Sequence, residues 1–371
     1  KKITSENIID VTSNNFLSNP ILTINTSSDI ISSEKIQTTD NNIISFQKQT
    51  KKPKNESKKY SKKFLNSIIK KATYKYLCGN QSSYLSMSFS ERCLQLKKIR
   101  DSFQPEQRTE AWYNMRNSML TASDFSKALG SQTSINSYAL SKVLPRENKS
   151  HHSSACKHGI LFEPLCKMFY ESLYPAEVEE FGLLQHSNYT FIGASPDGIC
   201  NEKSSPDFVG RLVEFKAPYS RKLMKGIVPE SYLVQIQGQL EVTNLNVCDY
   251  LECDFELLDV NPDENEDLEY IAKGIIIKYW EENEEKIHYG KINDLENQIP
   301  SNIVSYKVLY WILKDFNVVT VKRNLYWFNE YLLPRLTFTW NKVKWYRANP
   351  EEIKLKHKNN KVMSKPKYMF R

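Results

Sequence analysis

Phe191-Ile-Gly-Ala-Ser-Pro-Asp-Gly-Ile-Cys-Asn-Glu-Lys-Ser-Ser-Pro-Asp-Phe-Val-Gly-Arg-Leu-Val-Glu-Phe-Lys216 is the stretch on which the fold turns. A short apolar run, Phe191 and Ile192, leads to an acid at Asp197. A polar loop with Asn201, Ser204, Ser205 and Pro206 turns the chain, and Leu212 and Val213 lead into Glu214-Phe215-Lys216. The pattern predicts a β-hairpin. Side chains alternate across a strand, so Glu214 and Lys216 share a face, and pairing of the strands can bring Asp197 beside them.

Two carboxylates at one point repel each other, and a cation between them relieves the repulsion. Hard oxygen donors suit Mg²⁺ or Mn²⁺. A lysine on the same face can orient or deprotonate a water, and a metal can stabilise the charge that builds on a phosphate. Phosphodiester hydrolysis uses this set. The same residues also suit a surface hairpin with a solvated Glu and Lys and an Asp-Gly turn, so the rest of the chain has to decide.

The 371 residues are enough for a full core, and 40% hydrophobic and 12% aromatic residues are globular values. A net charge of +8 favours an anionic partner, with nucleic acid the first candidate. No apolar run is long enough to span a bilayer and the first residues lack an apolar signal core, so a soluble, intracellular protein is expected. Seven cysteines without Cys-x-x-Cys spacing predict reduced, mostly buried thiols.

Residues 1–60 read as a polar arm rich in Asn, Ser and Thr, and residues 61–104 as a basic helical extension. The lysine-rich stretch 51–75, with Phe64, Ile68, Ile69, Ala72 and Tyr76 at helical spacing, is either a helix lying along a DNA backbone or a solvated lysine face. In the next stretch Trp112 and Arg116 are four apart, on one helical face. Thr121 with Asp124 predicts a capping-box-like start and Gly130 a stop, which puts Ser123 in a first turn whose N–H groups can hold a phosphate. Glu163 sits in apolar company before Pro164. It is either an acid of a helix N-terminus, with Pro164 at the first helical position, or a third carboxylate aimed at Asp197 and Glu214. Gln235 and Gln239 share a face of a helix predicted over 232–240.

The ordered set Trp-x-x-x-Arg…Thr-Ala-Ser, Gly-x-x-x-Glu-Pro, Ser-Pro-Asp-Gly, Glu-Phe-Lys-x-Pro and Tyr-x-x-Gln-x-Gln resembles the YqaJ-type viral recombinase and lambda-type exonuclease branch of the PD-(D/E)XK nucleases, over roughly residues 105–250. The resemblance implies an α/β fold: a restriction-endonuclease-like core with a central mixed β-sheet flanked by helices, spanning 105–260. It implies Mg²⁺- or Mn²⁺-dependent digestion of linear duplex DNA from its ends. Carried over by position, Asp197, Glu214 and Glu163 are metal-site acids, the Phe215 carbonyl completes the metal shell, and Lys216 handles the attacking water. Arg116, Ser123, Ser195 and Gln235 match a pocket for a terminal 5′ phosphate, with His186, Gln237 and Arg221 as accessory candidates. Single-stranded DNA, a homo-oligomer such as a toroidal trimer, and a recombination or helicase partner belong to the same expectation. An endonuclease on this core and a DNA-binding module without catalysis are the alternatives.

Two departures from the family pattern matter. Ser187 stands where the lambda-type enzyme has a further acid, so a second metal binds weakly or His186 substitutes. No cysteine follows Cys253, so no iron-sulfur cluster is expected.

Beyond the core, residues 252–297 are acidic, which disfavours DNA contact there, and 270–280 has helical periodicity. The remainder of 261–350 reads as strand, strand and helix: Val308–Leu313 and Val318–Val321 joined by a turn at Asp315-Phe316-Asn317, then a helix from Arg323 to Tyr346 kinked at Pro334. Its stripe of Trp327, Tyr331, Leu332, Leu336 and Trp340 is either core or a base-stacking platform. This close resembles the C-terminal part of YqaJ proteins from large DNA viruses such as mimivirus, and the Asn, Ile and Lys usage suits an AT-rich genome. Residues 351–371 form a basic tail.

Overall fold

Leu212–Lys216 takes an inner position in a seven-stranded sheet, and everything that positions the acid groups is attached to that strand. The computed structural model describes residues 86–353 apart from 108, 145–152, 283, 294, 300–302 and 304. The polar arm, the 51–75 helix and the tail from 354 onward lie outside the described residues.

In chain order the principal elements are α1 (Phe89–Arg100), α2 (Glu110–Asn117), β1 (Leu120–Thr121), a 3₁₀ turn (Ala122–Asp124) into α3 (Phe125–Ala128), α4 (Gln132–Ser141) and α5 (Ser154–Leu173). There follow β2 (Val178–Glu179), β3 (Leu184–Gln185), β4 (Ile192–Ala194), β5 (Gly198–Cys200), β6 (Leu212–Lys216), α6 (Glu230–Thr243) and β7 (Val247–Leu258). The chain closes with β8 (Ala272–Glu281), β9 (Glu284–Gly290), β10 (Tyr306–Lys322) and α7 (Leu333–Ala348).

The main sheet runs β2-β5-β6-β7-β10-β8-β9, with β6 antiparallel to β5 and parallel to β7. Helices cover both faces, so the expected central mixed sheet flanked by helices is the architecture observed. On one face Leu212, Cys248 and Tyr250 pack with Leu233, Ile236 and Leu240 of α6 and Leu336 and Val343 of α7. On the other, Val213, Phe215, Leu251 and Cys253 pack with Phe162, Leu165 and Phe169 of α5. Strand alternation from Leu212 therefore sends Glu214 and Lys216 to the α6 face.

The predicted hairpin forms with a different first strand. Gly198 and Ile199 pair with Val213 and Leu212, whereas Ile192 pairs in parallel with Leu120 in a separate three-stranded sheet, β1-β4-β3. Pro196, which has no N–H for a ladder, marks the switch between sheets. Gly198 sits where a Cβ would fall 2.2 Å from Val178 Cγ1, so β5 can lie close to β2 only with glycine there.

Two further expectations are corrected. Residues 272–281 are a strand, not a helix. Ile275, Ile276 and Ile277 are buried on both faces, and a doubly covered strand shows a continuous apolar run that periodicity alone cannot tell from a helix. Asp315-Phe316-Asn317 is not a turn: β10 is one strand of 17 residues with a register shift between Leu313 and Asp315. Its polar residues hold the loop that follows β6. Asp315 pairs with Lys225, Asn317 Oδ1 accepts from Gly226 N–H at 2.8 Å, and Asn317 Nδ2 donates to the Ile227 carbonyl at 3.2 Å. The predicted helix runs without a break from Leu325 to Ala348, with a π segment over Phe328–Leu332 directly before Pro334, which has no N–H for the regular ladder. The aromatic stripe divides: Trp327, Leu332 and Leu336 are core, while Tyr331 is exposed.

Candidate active site

Glu163 is not an N-terminal acid. Helix α5 begins at Ser154 behind the Ser153 cap, and Pro164 lies inside it, so Glu163 is carried mid-helix. It lines a cleft of about 680 Å³ together with Asp197, Phe215 and Lys167.

Behind Asp197, on the α6 face of β6, the strand alternation brings Glu214 and Lys216 together. Lys216 Nζ contacts Glu214 Oε1, lies 3.7 Å from Asp197 Oδ2, and donates to the Phe215 carbonyl at 2.8 Å. Asp197 Oδ2 accepts from Phe215 N–H at 2.7 Å, which fixes the carboxylate at the opening between β5 and β6. Glu214 is fully buried, and two amides of α6 hold it: Gln235 Nε2 donates to Oε1 and Gln239 Nε2 to Oε2, both at 2.7 Å. The four-residue spacing puts both amides on one helix face. Burial, and next the Asp197 charge, push Glu214 up to about 7. Burial alone would lower the Lys216 pKa, but Glu214 and Asp197 outweigh it and hold the group well above its ordinary value. Lys216 is therefore held as an ammonium that donates to Glu214 and to the Phe215 carbonyl. The Tyr232 ring, 5.3 Å from Nζ, closes its other side.

A second cluster adjoins through Ser195. On α2, the Arg116 guanidinium stacks over Trp112 at 5.0 Å and Nη2 donates to Ser123 Oγ at 2.9 Å. Trp112 Nε1 donates to Ser195 Oγ at 3.3 Å, and the Ser195 carbonyl accepts from Gln239 at 3.3 Å. Arg116, Ser123 and Ser195 thus form one cluster, linked through Gln239 to Glu214, whereas Gln235 bonds Glu214 directly. Ser123 lies in the 3₁₀ turn, and the predicted capping box is absent: Thr121 makes no side-chain cap bond and is buried. Asp124, 3.7 Å from Arg116, partly neutralises the cluster.

The accessory candidates lie elsewhere. His186 faces Glu241 at 3.6 Å and takes the Asn188 and Tyr189 N–H groups on Nδ1, so it does not replace the missing acid at Asp197. Gln237 bonds the Lys322 carbonyl and Asn324 N–H at the end of β10. Arg221 pairs with Glu252, a fully buried acid that also accepts from Tyr250 at 2.7 Å. Sequence reasoning missed Glu252. Its only signal is parallel register, which sets it opposite Lys216 on β7. Of the six described cysteines, Cys166, Cys200, Cys248 and Cys253 are buried.

A hard divalent cation fits the donor chemistry, which is all oxygen: Asp197, the Phe215 carbonyl and Glu163 on the cleft wall, with Glu214 behind. Glu214 is raised first by burial and next by the Asp197 charge, and a cation beside the two carboxylates would offset the second of these. Among the described residues no three acid, histidine or cysteine side chains already stand in ligand geometry.

Residues 111–246 match the model of the YqaJ-like viral recombinase domain, and this segment carries Arg116, Glu163, Asp197, Glu214 and Lys216. An uncharacterized protein of Acanthamoeba polyphaga mimivirus is 30% identical over 360 residues, covering 80% of this chain and 64% of that protein. A protein of African swine fever virus is 28% identical over 168 residues, 38% of this chain and 47% of that one. The chain thus spans under two thirds of the length of the first and about half of the second. Among solved structures, an alkaline exonuclease from Laribacter hongkongensis is similar with a TM-score of 0.42 at 19% identity, covering 68% of this chain and all of that one. A phage-related exonuclease from Haemophilus somnus gives 0.34 at 13% identity, covering 73% and 97%. Among the described residues, no helix is long and apolar enough to cross a membrane.

Proposed function

We propose that the chain is a Mg²⁺- or Mn²⁺-dependent deoxyribonuclease that digests linear duplex DNA from its ends, gripping a terminal 5′ phosphate, in the recombination or repair of a viral genome. One observation carries the reading: the buried Glu214, held by two amides and an ammonium, stands behind Asp197, which lines a cleft together with Glu163. A protein that only binds DNA gains nothing from carboxylates beside phosphate, because like charges weaken the contact.

A divalent ion held by Asp197, Glu163 and the Phe215 carbonyl would act as a Lewis acid toward the scissile phosphate. The protein's own residues do the rest. Asp197, locked by the Phe215 N–H, presents a fixed oxygen to the cleft. Lys216 donates toward the attacking water and the developing phosphate charge. Glu214 keeps Lys216 protonated and aimed, and Gln235 and Gln239 keep Glu214 from turning. Arg116, flattened on Trp112, and Ser123 offer charge-assisted donors to a terminal phosphate.

The test is a Mg²⁺ and Mn²⁺ titration on end-labelled linear duplex, with 5′-phosphate or 5′-hydroxyl ends, beside closed circular duplex. Release of nucleotides from linear DNA alone, faster from phosphorylated ends, is the expected result. Cutting of the circle replaces this reading with an endonuclease, and binding without cutting replaces it with a DNA-binding module.

A further inference from the structure

Helix α7 buries one face and leaves another that the site does not use. Leu336, Thr339, Val343 and Tyr346 are buried. Phe338 and Trp345, 45% and 48% exposed, point outward two turns apart, about 10 Å along the axis. Lys342 stands between them on the same face, its Nζ 5.3 Å from the Phe338 ring centroid. Together with Asn341 they surround a shallow hollow of about 390 Å³.

The charge says what covers this face. Between 333 and 348 the sequence carries Arg335, Lys342, Lys344 and Arg347 and no acid. Protein interfaces deplete lysine at their centre, whereas aromatic rings interleaved with cations are the surface on which unpaired bases stack while the backbone is neutralised. A duplex has no free base faces to offer such rings. The helix is also fastened to the Arg116 cluster. Arg347 Nη2 donates to the Asn117 carbonyl at 2.9 Å, and Lys142, whose carbonyl also accepts from Arg347, donates to the Arg116 carbonyl at 3.1 Å.

We propose that the Phe338–Lys342–Trp345 face of α7 binds single-stranded DNA by base stacking and phosphate pairing, as a track for the strand left when its partner is digested. The proposal rests on the nuclease reading only for the nature of the strand, and binding can be measured apart from cleavage.

The experiment uses the full chain in EDTA, so that no metal-dependent cutting occurs, with fluorescence anisotropy of a labelled 20-nucleotide oligo(dT) and a duplex of equal length. Phe338→Ala and Trp345→Ala should each weaken oligo(dT) binding roughly tenfold and change duplex binding far less. Lys342→Gln, a surface change that leaves the fold alone, should weaken it a few-fold and reduce the slope of log affinity against log salt by up to about 1. Trp280→Ala, on β8 and more exposed to solvent than either ring, should change nothing. Unchanged oligo(dT) affinity in the two aromatic variants, with native circular dichroism, overturns the proposal. So does a wild-type dimer that becomes monomeric in Trp345→Ala, because the face would then be a contact between copies. Wild-type chain that binds oligo(dT) in EDTA but cuts no DNA when Mg²⁺ or Mn²⁺ is added would count against the nuclease reading alone.

Discussion

Asp197 and Lys216 are separable from the fold. Lys216 is partly exposed, and Asp197 takes one backbone bond that asparagine can still accept. Asp197→Asn and Lys216→Ala should each lower cleavage of linear duplex by at least 10³-fold with DNA affinity within a few-fold of wild type, measured by product release and by anisotropy in EDTA. Full activity in either variant removes the assignment. Gln239 acts at one remove, since its amide spans the Glu214 carboxylate and the Ser195 carbonyl. Gln239→Ala should reduce kcat by about 10- to 100-fold, the range for a supporting hydrogen bond at a metal site, with little effect on KM. These residues were legible in the sequence because strand alternation and helical spacing act over a few positions. Glu252 was not, since a lone acid in a long strand shows its neighbour only after β6 and β7 are paired.

At the scale of the elements, α6 is the part that joins the two clusters. Gly238 lies where a Cβ would fall 2.6 Å from the Phe125 ring and 3.2 Å from Ala122 Cβ, so the 3₁₀ turn that carries Ser123 packs directly on the helix that holds Glu214. Gly238→Ala should cost about 1–3 kcal/mol in urea denaturation by overpacking, and should diminish the preference for 5′-phosphorylated ends more than the cleavage of hydroxyl ends. Equal loss on both substrates would mean that the turn does not hold the phosphate. Less than one turn beyond Gly238 on α6, burial works against the Glu241 charge, but His186 and Arg323 outweigh it and leave the carboxyl below its usual range. The sign follows: a depressed folded pKa contributes stability above the unfolded value near 4.5, and this is lost as pH falls through the folded value. In denaturation curves the advantage of wild type over Glu241→Gln should be largest near pH 7 and shrink once pH drops below about 4.5. A constant difference across that range would assign the effect to packing.

The same scale shows why the C-terminal third was misread. Asp315 and Asn317 look like turn residues, yet their side chains are used across the sheet, to hold Lys225 and the backbone of Gly226 and Ile227 behind β6. The isoleucine run of β8 looks helical because a strand covered on both sides has no alternation to show. Both errors concern partners far away in sequence. The Asp197–Glu214–Lys216 group escaped them because its partners lie within 20 residues of each other.

For the whole molecule, charge placement sets the approach of DNA. Fifteen acids and four lysines fall between 252 and 297, a net of −11, so the rest of a chain of net +8 carries +19. That acidic segment holds most of β7 together with β8 and β9, and β9 forms the edge of the main sheet. The residues proposed to meet DNA all come from other elements, α2, the 3₁₀ turn, β5–β6 and α7, so the duplex should lie away from the β9 edge. Affinity for duplex should therefore fall steeply between 50 and 200 mM salt, by about 10³-fold if six or more phosphates are neutralised. Charge reversal at exposed positions on the β9 edge, Glu284→Lys with Glu285→Lys, should leave the slope of log affinity against log salt unchanged, because those positions release no counterions from bound DNA. A slope steeper by one or two would place the edge inside the footprint. The route from the Arg116 pocket toward α7 would then have to be abandoned in favour of one across the sheet end.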